Sequence, residues 1–284
     1  MPSSLGGFFY KLSTHFFISM LSFYKYQGTG NDFILIDNRL QHFSKEASLI
    51  EKLCDRRFGV GADGLICLEN SEDSQYDFRM VYFNADGFEG SMCGNGGRCI
   101  VRFAHDLGII REKTTFIAVD GPHEAQVTVE NIHLKMSDVS KVEQYDAYDF
   151  LNTGSPHYVA LQNDLDSLDV TSVGSSIRYS PEWVEKGGTN VNFMEVISTN
   201  HLYVRTYERG VEDETYSCGT GVTACAISSS LRFNWASPIA IKTKGGNLQI
   251  SFQQDISEKL FTQIYLIGPA QRVFIGQLEE KTLF

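Results

Sequence analysis

The chain has 284 residues and a formal net charge of −11, with 42% apolar and 21% charged residues. This composition is typical of a folded globular protein and excludes a disordered chain. No apolar run approaches the roughly 18 residues that a membrane-spanning helix needs. An acidic chain without a block of Lys and Arg also lacks the electrostatic signature of nucleic-acid binding. We therefore expect no membrane and no nucleic-acid partner, and the length favours two domains.

The first twenty residues are apolar and aromatic, but they lack the continuous hydrophobic segment and the cleavage site of a secretory signal. Strand-like sequence begins directly after Met20. We expect residues 1–20 to form a disordered extension and Met20 to be the physiological start.

The first half of the chain predicts strands around one amphipathic helix. A strand at Leu65–Leu68 follows the glycine-rich segment 61–64. After Cys93, apolar residues keep helical spacing as far as Leu107, and Gly108 supplies a C-terminal stop. Alternating apolar residues between 125 and 136 predict a hairpin with a two-residue turn at Glu130-Asn131.

The second half predicts a similar set of elements. A strand is expected at Asn192–Ile197, and a second hairpin with a longer loop is expected between Leu248 and Leu266. The segment Val222–Leu231 between them is small and apolar on nearly every face. That pattern is typical of a helix that is buried on all sides by strands.

Four motifs of the first half reappear in the second half, in the same order and at nearly constant spacing. The pairs are segments 30–33 and 154–157, 61–64 and 188–191, 93–96 and 218–221, and Gly121 and Gly245. We predict an α+β fold of two pseudo-symmetric domains, each a β-roll or barrel of short strands around a central helix. The predicted domains are residues 21–137 and 138–270, with residues 271–284 packing back on the first.

Two of the six cysteines share a local pattern: Cys93 and Cys218 are each followed by glycines and then by a helix. The glycines let backbone N–H groups converge, and a helix N-terminus carries about half a positive charge, which favours a thiolate. We therefore predict that both thiol pKa values are lowered from about 8.5 towards neutrality. The other four cysteines lack this context and are interpreted as packing residues: Cys54, Cys67, Cys99 and Cys225. The sequence contains no C-x-x-C pair that would indicate a metal site.

Two equivalent thiols in duplicated domains favour a reaction that needs two opposed groups. Inversion of a stereocentre is such a reaction, because one base removes a proton from one face and one acid delivers a proton to the other. A hydrolase would instead need one nucleophile with a dedicated base.

Several motifs, taken together, resemble the diaminopimelate epimerase family. They are Tyr26–Phe33, Phe83–Gly87, Cys93–Cys99, Tyr207–Gly210 and Cys218–Gly221, in an order that runs from about Phe23 to near the C-terminus. The resemblance implies a cytoplasmic, homodimeric epimerase without a cofactor, which interconverts LL- and meso-2,6-diaminopimelate for lysine and peptidoglycan synthesis. It also implies that Cys93 is the base for the LL isomer and Cys218 the opposing acid, with the roles reversed for the meso isomer.

The resemblance also indicates substrate-binding residues, and their chemistry suits a molecule with two carboxylates and two ammonium groups. Arg209 suits a bidentate carboxylate contact, while Glu208 suits an ammonium group or orients the second thiol. Uncharged amides are expected at Asn31, Asn84 and Asn190. Backbone amides at the two helix N-termini are expected to hold the reacting carboxylate: Gly94, Asn95, Gly219 and Thr220. His157 is a candidate for tuning Cys218, and a structural role is the alternative.

Three positions depart from the family pattern. Gly64 stands where some relatives have a substrate-contacting glutamine, Ser155 stands where asparagine is common, and Phe88 replaces a serine. Ser155 and Gly64 are therefore kept as candidate supporting residues. None of the three departures affects the thiols.

Two other functions remain open at this point. A proline or hydroxyproline racemase uses a similar fold and two cysteines, although Arg209 and the asparagines favour a longer substrate with a second charged end. A thiol redox protein would use Cys93 and Cys218 as a switch, although a C-x-x-C motif is absent.

Overall fold

The computed structural model describes residues 20–255, 257–258 and 260–279. Seventeen strands in these residues join into one hydrogen-bonded sheet network. The predicted extension lies outside the described residues except for Met20, which opens the first strand and pairs with Glu279.

The first half contains seven strands and two helices. The strands are β1 (Met20–Gly28), β2 (Asn31–Asp37), β3 (Gly64–Glu69), β4 (Phe78–Asn84), β5 (Lys113–Ala118), β6 (Gly121–Val127) and β7 (Ile132–Lys135). The helices are α1 (Ala47–Cys54), between β2 and β3, and α2 (Gly94–Asp106), between β4 and β5.

The second half follows the same plan. Its strands are β8 (Val142–Gln144), β9 (Asp149–Asn152), β10 (Pro156–Leu161), β11 (Asn190–Ser198), β12 (His201–Glu208), β13 (Asp213–Thr215), β14 (Ile239–Thr243), β15 (Gly246–Asp255), β16 (Leu260–Gly268) and β17 (Gln271–Glu279). Its helices are α3 (Val170–Arg178), α4 (Pro181–Glu185) and α5 (Gly219–Phe233), and a short 3-10 turn covers Leu165–Ser167.

Strand pairing repeats between the halves. In the first half, β2 pairs in parallel with β3, β3 antiparallel with β4, and β4 in parallel with β5, followed by antiparallel β5–β6 and β6–β7 pairs. The second half repeats this series with β10, β11, β12, β14, β15 and β16. The prediction of two repeated α+β halves is confirmed.

The two central helices explain where the core lies. In α5, every residue from Gly221 to Ser230 is buried, as its small apolar sequence predicts. Helix α2 is amphipathic and ends before Gly108, whose φ of +72° is the left-handed conformation that commonly terminates helices. One apolar core includes residues of both helices, and smaller cores lie under α1 and under α3. No helix in the described part of the chain is long and apolar enough to cross a membrane.

One detail of the predicted hairpin is wrong. Val127 pairs with Ile132, so the turn contains residues 128–131 rather than Glu130 and Asn131 alone. Val129, which the alternating pattern placed in the strand, is 96% exposed. The Thr128 hydroxyl donates to the Asn131 carbonyl at 2.9 Å and accepts from the Asn131 N–H, which stabilises the wider turn.

Candidate active site

The N-termini of α2 and α5 meet at two glycines. A Cβ atom built on Gly219 would lie 3.2 Å from the Gly94 Cα, and one built on Gly94 would lie 3.4 Å from the Gly219 Cα. Leu266 packs against both positions, at 2.7 and 2.8 Å from the built Cβ atoms. Glycine permits this approach of two backbones, which places the N-cap residues Cys93 and Cys218 around one site.

A buried arginine holds the first cysteine segment. Arg98 is fully buried, and its guanidinium donates to the Gly94 carbonyl at 3.1 Å, the Asn95 Oδ1 at 3.1 Å and the Thr29 hydroxyl at 3.0 Å. Asn95 in turn donates to the Ser217 carbonyl at 2.8 Å, one residue before Cys218. These bonds tie the two cysteine segments together across the halves.

The supporting roles of Arg98, Thr29 and Ser217 were missed from the sequence. Arg98 stands inside the cysteine motif, beside apolar residues of α2, and this was the available signal. An arginine is rarely buried without several acceptors, which here are two oxygens of its own helix, the Thr29 hydroxyl and the Pro269 carbonyl.

A chain of hydrogen bonds leads to the second cysteine. The Asn192 amide donates to Nδ1 of the buried His157 at 3.0 Å, so Nε2 carries the hydrogen and donates to the Ser155 hydroxyl at 3.0 Å. Ser155 also accepts from Asn190 at 3.1 Å, so its own hydrogen is directed to the Thr220 hydroxyl at 3.2 Å. Thr220 lies 3.5 Å from the Cys218 Sγ.

This chain donates towards Cys218 at every step. Burial lowers the pKa of His157 to about 3, which keeps the imidazole neutral and fixes its tautomer. The Thr220 hydroxyl lowers the Cys218 pKa, since a hydrogen-bond donor favours the thiolate over the thiol. Ser155 and His157 are therefore linked to Cys218 through Thr220, rather than in contact with it.

The predicted low thiol pKa values are wrong for the site as the structure describes it. Burial raises the pKa of Cys93 to about 11, although the Gly96 N–H, which donates to its Sγ at 3.2 Å, lowers it. Burial and the negative charge of Glu208 raise the pKa of Cys218 further. The physical reason is that the free energy lost when a thiolate leaves water is larger than the stabilisation that a few backbone N–H groups at the helix N-terminus provide.

Glu208 faces the second thiol. It accepts a hydrogen bond from the Thr215 hydroxyl at 3.0 Å, and burial raises the pKa of its carboxyl group. The Cys218 thiol is a hydrogen-bonding partner that lowers the Glu208 pKa. This arrangement agrees with the alternative in which Glu208 orients Cys218.

The predicted asparagines differ in how freely they can bind a ligand. Asn31 accepts from Asn95 at 3.3 Å and donates to Asp63 at 2.7 Å, which leaves one amide hydrogen unused. Asn84 is exposed at the end of β4, directly opposite Gly64 on β3. Asn190 uses both amide hydrogens within the protein, on Ser155 and the Pro156 carbonyl.

Arg209 is exposed, and its backbone N–H donates to the Asn190 Oδ1 at 2.9 Å. Its Nη1 donates to the Gly187 carbonyl at 3.0 Å. Within the residues that the structure describes, no group of three or more His, Cys, Asp or Glu side chains could hold a metal ion.

The fold places the chain in a class of proteins that share this two-half α+β architecture. A phenazine biosynthesis protein of the PhzF family from Bacillus anthracis has the same fold, with a TM-score of 0.73 at 16% identity over 92% of this chain and 99% of its own. A hydroxyproline epimerase from Agrobacterium vitis matches with a TM-score of 0.68 at 12% identity, over 92% of this chain and 93% of its own.

Sequence comparison gives the family within this class. The family model described as diaminopimelate epimerase matches residues 23–142 and 150–273. The diaminopimelate epimerase of Flavobacterium psychrophilum is 54% identical over 257 residues, which cover 89% of this chain and 98% of that protein. The diaminopimelate epimerase of Chlorobaculum tepidum is 46% identical over 261 residues, which cover 88% of this chain and 98% of that protein. The chain belongs to the diaminopimelate epimerase family.

Proposed function

We propose that the protein interconverts LL- and meso-diaminopimelate by proton transfer between two cysteines, without a cofactor. The observation that carries the proposal is the contact of two cysteine-capped helix N-termini, one from each half, in a member of this family. The two thiols supply both proton transfers that inversion requires.

In the proposed reaction, one proton leaves the α-carbon of the substrate and another proton is delivered to its opposite face. The Cys93 thiolate takes the α-proton of the LL isomer and becomes a thiol, while the Cys218 thiol gives its proton to the opposite face and becomes a thiolate. From the meso isomer the roles are reversed. The charge that develops on the substrate is stabilised by the N–H groups of Gly94, Asn95, Gly219 and Thr220.

The raised thiol pKa values support a specific role for the substrate. A substrate ammonium group beside the thiols brings the positive charge that favours a thiolate. Binding of the substrate therefore activates the base, and in its absence both cysteines are held as thiols. Glu208 is the carboxylate proposed to attract that ammonium group.

The remaining site residues are proposed to bind the distal end of the substrate. Arg209 offers a guanidinium to the distal carboxylate, and Asn31 and Asn84 offer amides. Asn190 holds Ser155 and the Arg209 backbone in place and keeps one acceptor position for a ligand.

The alternative functions have weaker support. The hydroxyproline epimerase match is a likeness of fold at 12% identity, whereas diaminopimelate epimerases match at up to 54%. A thiol redox function finds no support in either comparison.

Cytoplasmic location and a homodimer are proposed from the family resemblance. Strand β17 presents three consecutive exposed apolar residues, Val273, Phe274 and Ile275, which suit a surface that a second copy covers. Sedimentation equilibrium at micromolar concentration should give twice the mass of the chain. A monomer under these conditions would exclude the homodimer.

The test of the reaction uses deuterated water. The wild-type protein should incorporate deuterium at the α-carbon of LL-diaminopimelate without any added cofactor, and freshly reduced protein showing no exchange would refute the proposal. Cys93→Ala and Cys218→Ala should each lower epimerisation about 10²–10⁴-fold, the usual effect of losing a general acid or base.

The matched controls are Cys67→Ala and Cys225→Ala, which remove buried thiols outside the two N-caps. They should keep near-normal turnover and lose on the order of 1 kcal/mol of stability. Near-normal turnover in Cys93→Ala or Cys218→Ala would instead contradict the two-thiol mechanism.

A further inference from the structure

The ring of Tyr82, a residue of β4, packs against two glycines. A Cβ atom built on Gly64 would lie 2.7 Å from the Tyr82 Cε2 and 3.2 Å from its hydroxyl oxygen, and one built on Gly90 would lie 3.0 Å from Cε1. Phe33 packs edge-on against the ring, with centroids 6.0 Å apart. The ring therefore occupies the space that side chains at positions 64 and 90 would take.

Tyr82 lies beside Asn84, one of the amides expected in the substrate site, since a Cβ atom built on Gly90 would lie 3.0 Å from the Tyr82 Cε1 and 3.1 Å from the Asn84 Nδ2. Burial raises the pKa of the Tyr82 hydroxyl, and an ionised Cys93 and the carboxyl groups of Asp63 and Glu208 also raise it. The phenol therefore lies within electrostatic reach of both Cys93, in the first half, and Glu208, in the second. It keeps its proton at any pH at which the enzyme operates.

This hydroxyl has no hydrogen-bonding partner among the described residues. Tyr82 is half-buried, so this unpaired hydroxyl is open to a hydrogen bond from a bound ligand. Asp63 and Glu208 act on this hydroxyl, and a carboxylate attracts a cationic group into the same space. A phenolic oxygen is a neutral acceptor that can complete the hydrogen bonds of an ammonium group.

We propose that Tyr82 is a substrate-binding residue, whose hydroxyl oxygen accepts a hydrogen bond from an ammonium group of diaminopimelate. The inference rests on the proposed function and assigns a further residue to its site. Gly64 then has a physical explanation: a side chain there would collide with the Phe83 carbonyl oxygen at 2.6 Å and with the Tyr82 ring at 2.7 Å, and the tyrosine fills the space of the glutamine that some relatives carry at that position.

Kinetics of Tyr82→Phe test this role, because phenylalanine keeps the ring between the two glycines and removes only the hydroxyl. Loss of a hydrogen bond to a charged group should raise KM for both isomers about 10–100-fold, with kcat changed less than about threefold. Tyr24→Phe is the matched control, since Tyr24 is a half-buried tyrosine of β1 that packs on Phe103, and its KM should be unchanged.

Three outcomes decide the matter. A raised KM in Tyr82→Phe alone supports substrate binding. An unchanged KM and kcat would show that the ring only fills space, and a lower kcat with a shifted pH profile at unchanged KM would show an action on Cys93; either result overturns the proposal. If wild-type protein lacks epimerase activity, the proposed function itself fails, which is a distinct result.

Discussion

Cys93 and Cys218 hold equivalent positions in the two halves, but their surroundings differ. Cys93 Sγ accepts from a backbone N–H, whereas Cys218 faces a threonine hydroxyl and the Glu208 carboxyl group. Glu208 raises the pKa of both thiols, and it is the second-largest contribution at Cys218. The two bases are thus unequal before the substrate binds, and Cys93 is the stronger candidate for the thiolate.

The buried His157 predicts a particular loss of stability in acid. Its native pKa is about 3, against about 6.5 in an unfolded chain, so between these values the unfolded chain binds a proton that the native protein does not. The free energy of unfolding should therefore fall as the pH falls from 6.5 towards 3, by up to about 1.4 kcal/mol per pH unit from this residue. Urea titrations at pH 6.5, 5.5 and 4.5 measure the slope.

The comparison variant is His157→Gln, which should show a shallower pH dependence than the wild-type protein. His42→Gln, at an exposed position, should keep the wild-type slope. Identical slopes for the wild type and His157→Gln would mean that the buried imidazole is not the group responsible.

At the scale of residues, the sequence identifies the cysteines but not their ionisation. The Cys-Gly pattern is local, so both N-caps could be predicted from the motif alone. The thiol pKa values depend on burial in the folded protein and on Glu208, neither of which the local Cys-Gly pattern contains. The supporting role of Arg98 could not be predicted for the same reason, because its acceptor Thr29 lies far away in sequence, on the turn between β1 and β2.

The contact between α2 and α5 requires glycine on both sides. Gly219→Ala would place a methyl group 2.8 Å from the Leu266 Cδ2 and 3.2 Å from the Gly94 Cα, so the helices must separate. We expect a loss of about 1–3 kcal/mol of stability, as for overpacked cores, and a larger relative loss of kcat because the two thiols move apart. Thermal denaturation and steady-state kinetics measure the two effects.

Gly97→Ala, in the first turn of α2, is the control. Its methyl group would meet only the ends of Leu134 and Met92, both at 2.8 Å, and flexible side chains can shift. We expect a smaller loss of kcat than in Gly219→Ala. Equal kinetics in the two variants would argue against a special role for the backbone contact.

At the scale of elements, periodicity predicts the helices better than the turns. The helix after Cys93 and the all-round buried α5 follow directly from their apolar patterns. The four-residue turn before β7 does not, since the Thr128 side chain stabilises it and Val129 only resembles a strand residue. The helix-to-helix contact at Gly94 and Gly219 depends on tertiary packing and has no local signal.

The two halves are joined by an exchange of strands. After β7 the chain crosses to the second half, where β8 pairs with β9, and after β16 it crosses back, where β17 pairs with β1. Strands β7 and β16 also pair with each other. The division at residues 137 and 138 stays a prediction, but these pairings imply that neither half can unfold without exposing strands of the other.

Unfolding should therefore occur in one transition. Both tryptophans of the chain, Trp183 and Trp235, lie in the second half, so tryptophan fluorescence reports on that half alone. Far-UV circular dichroism reports on both halves. The two signals should give coincident urea transitions, as two-state unfolding requires. A fluorescence midpoint separated from the circular dichroism midpoint would indicate independent halves.

The meeting of Gly94 and Gly219 has a consequence for the origin of the protein. Equivalent residues that face each other across a pseudo-two-fold axis are what an isologous dimer of identical subunits places at its symmetry axis. An ancestral chain of half this length, paired with its own copy, would already bring two identical thiols to one centre. Joining two such copies in one chain would let each side change alone, which is consistent with the hydrogen bond that Glu208 makes to Cys218 and not to Cys93 in the described residues.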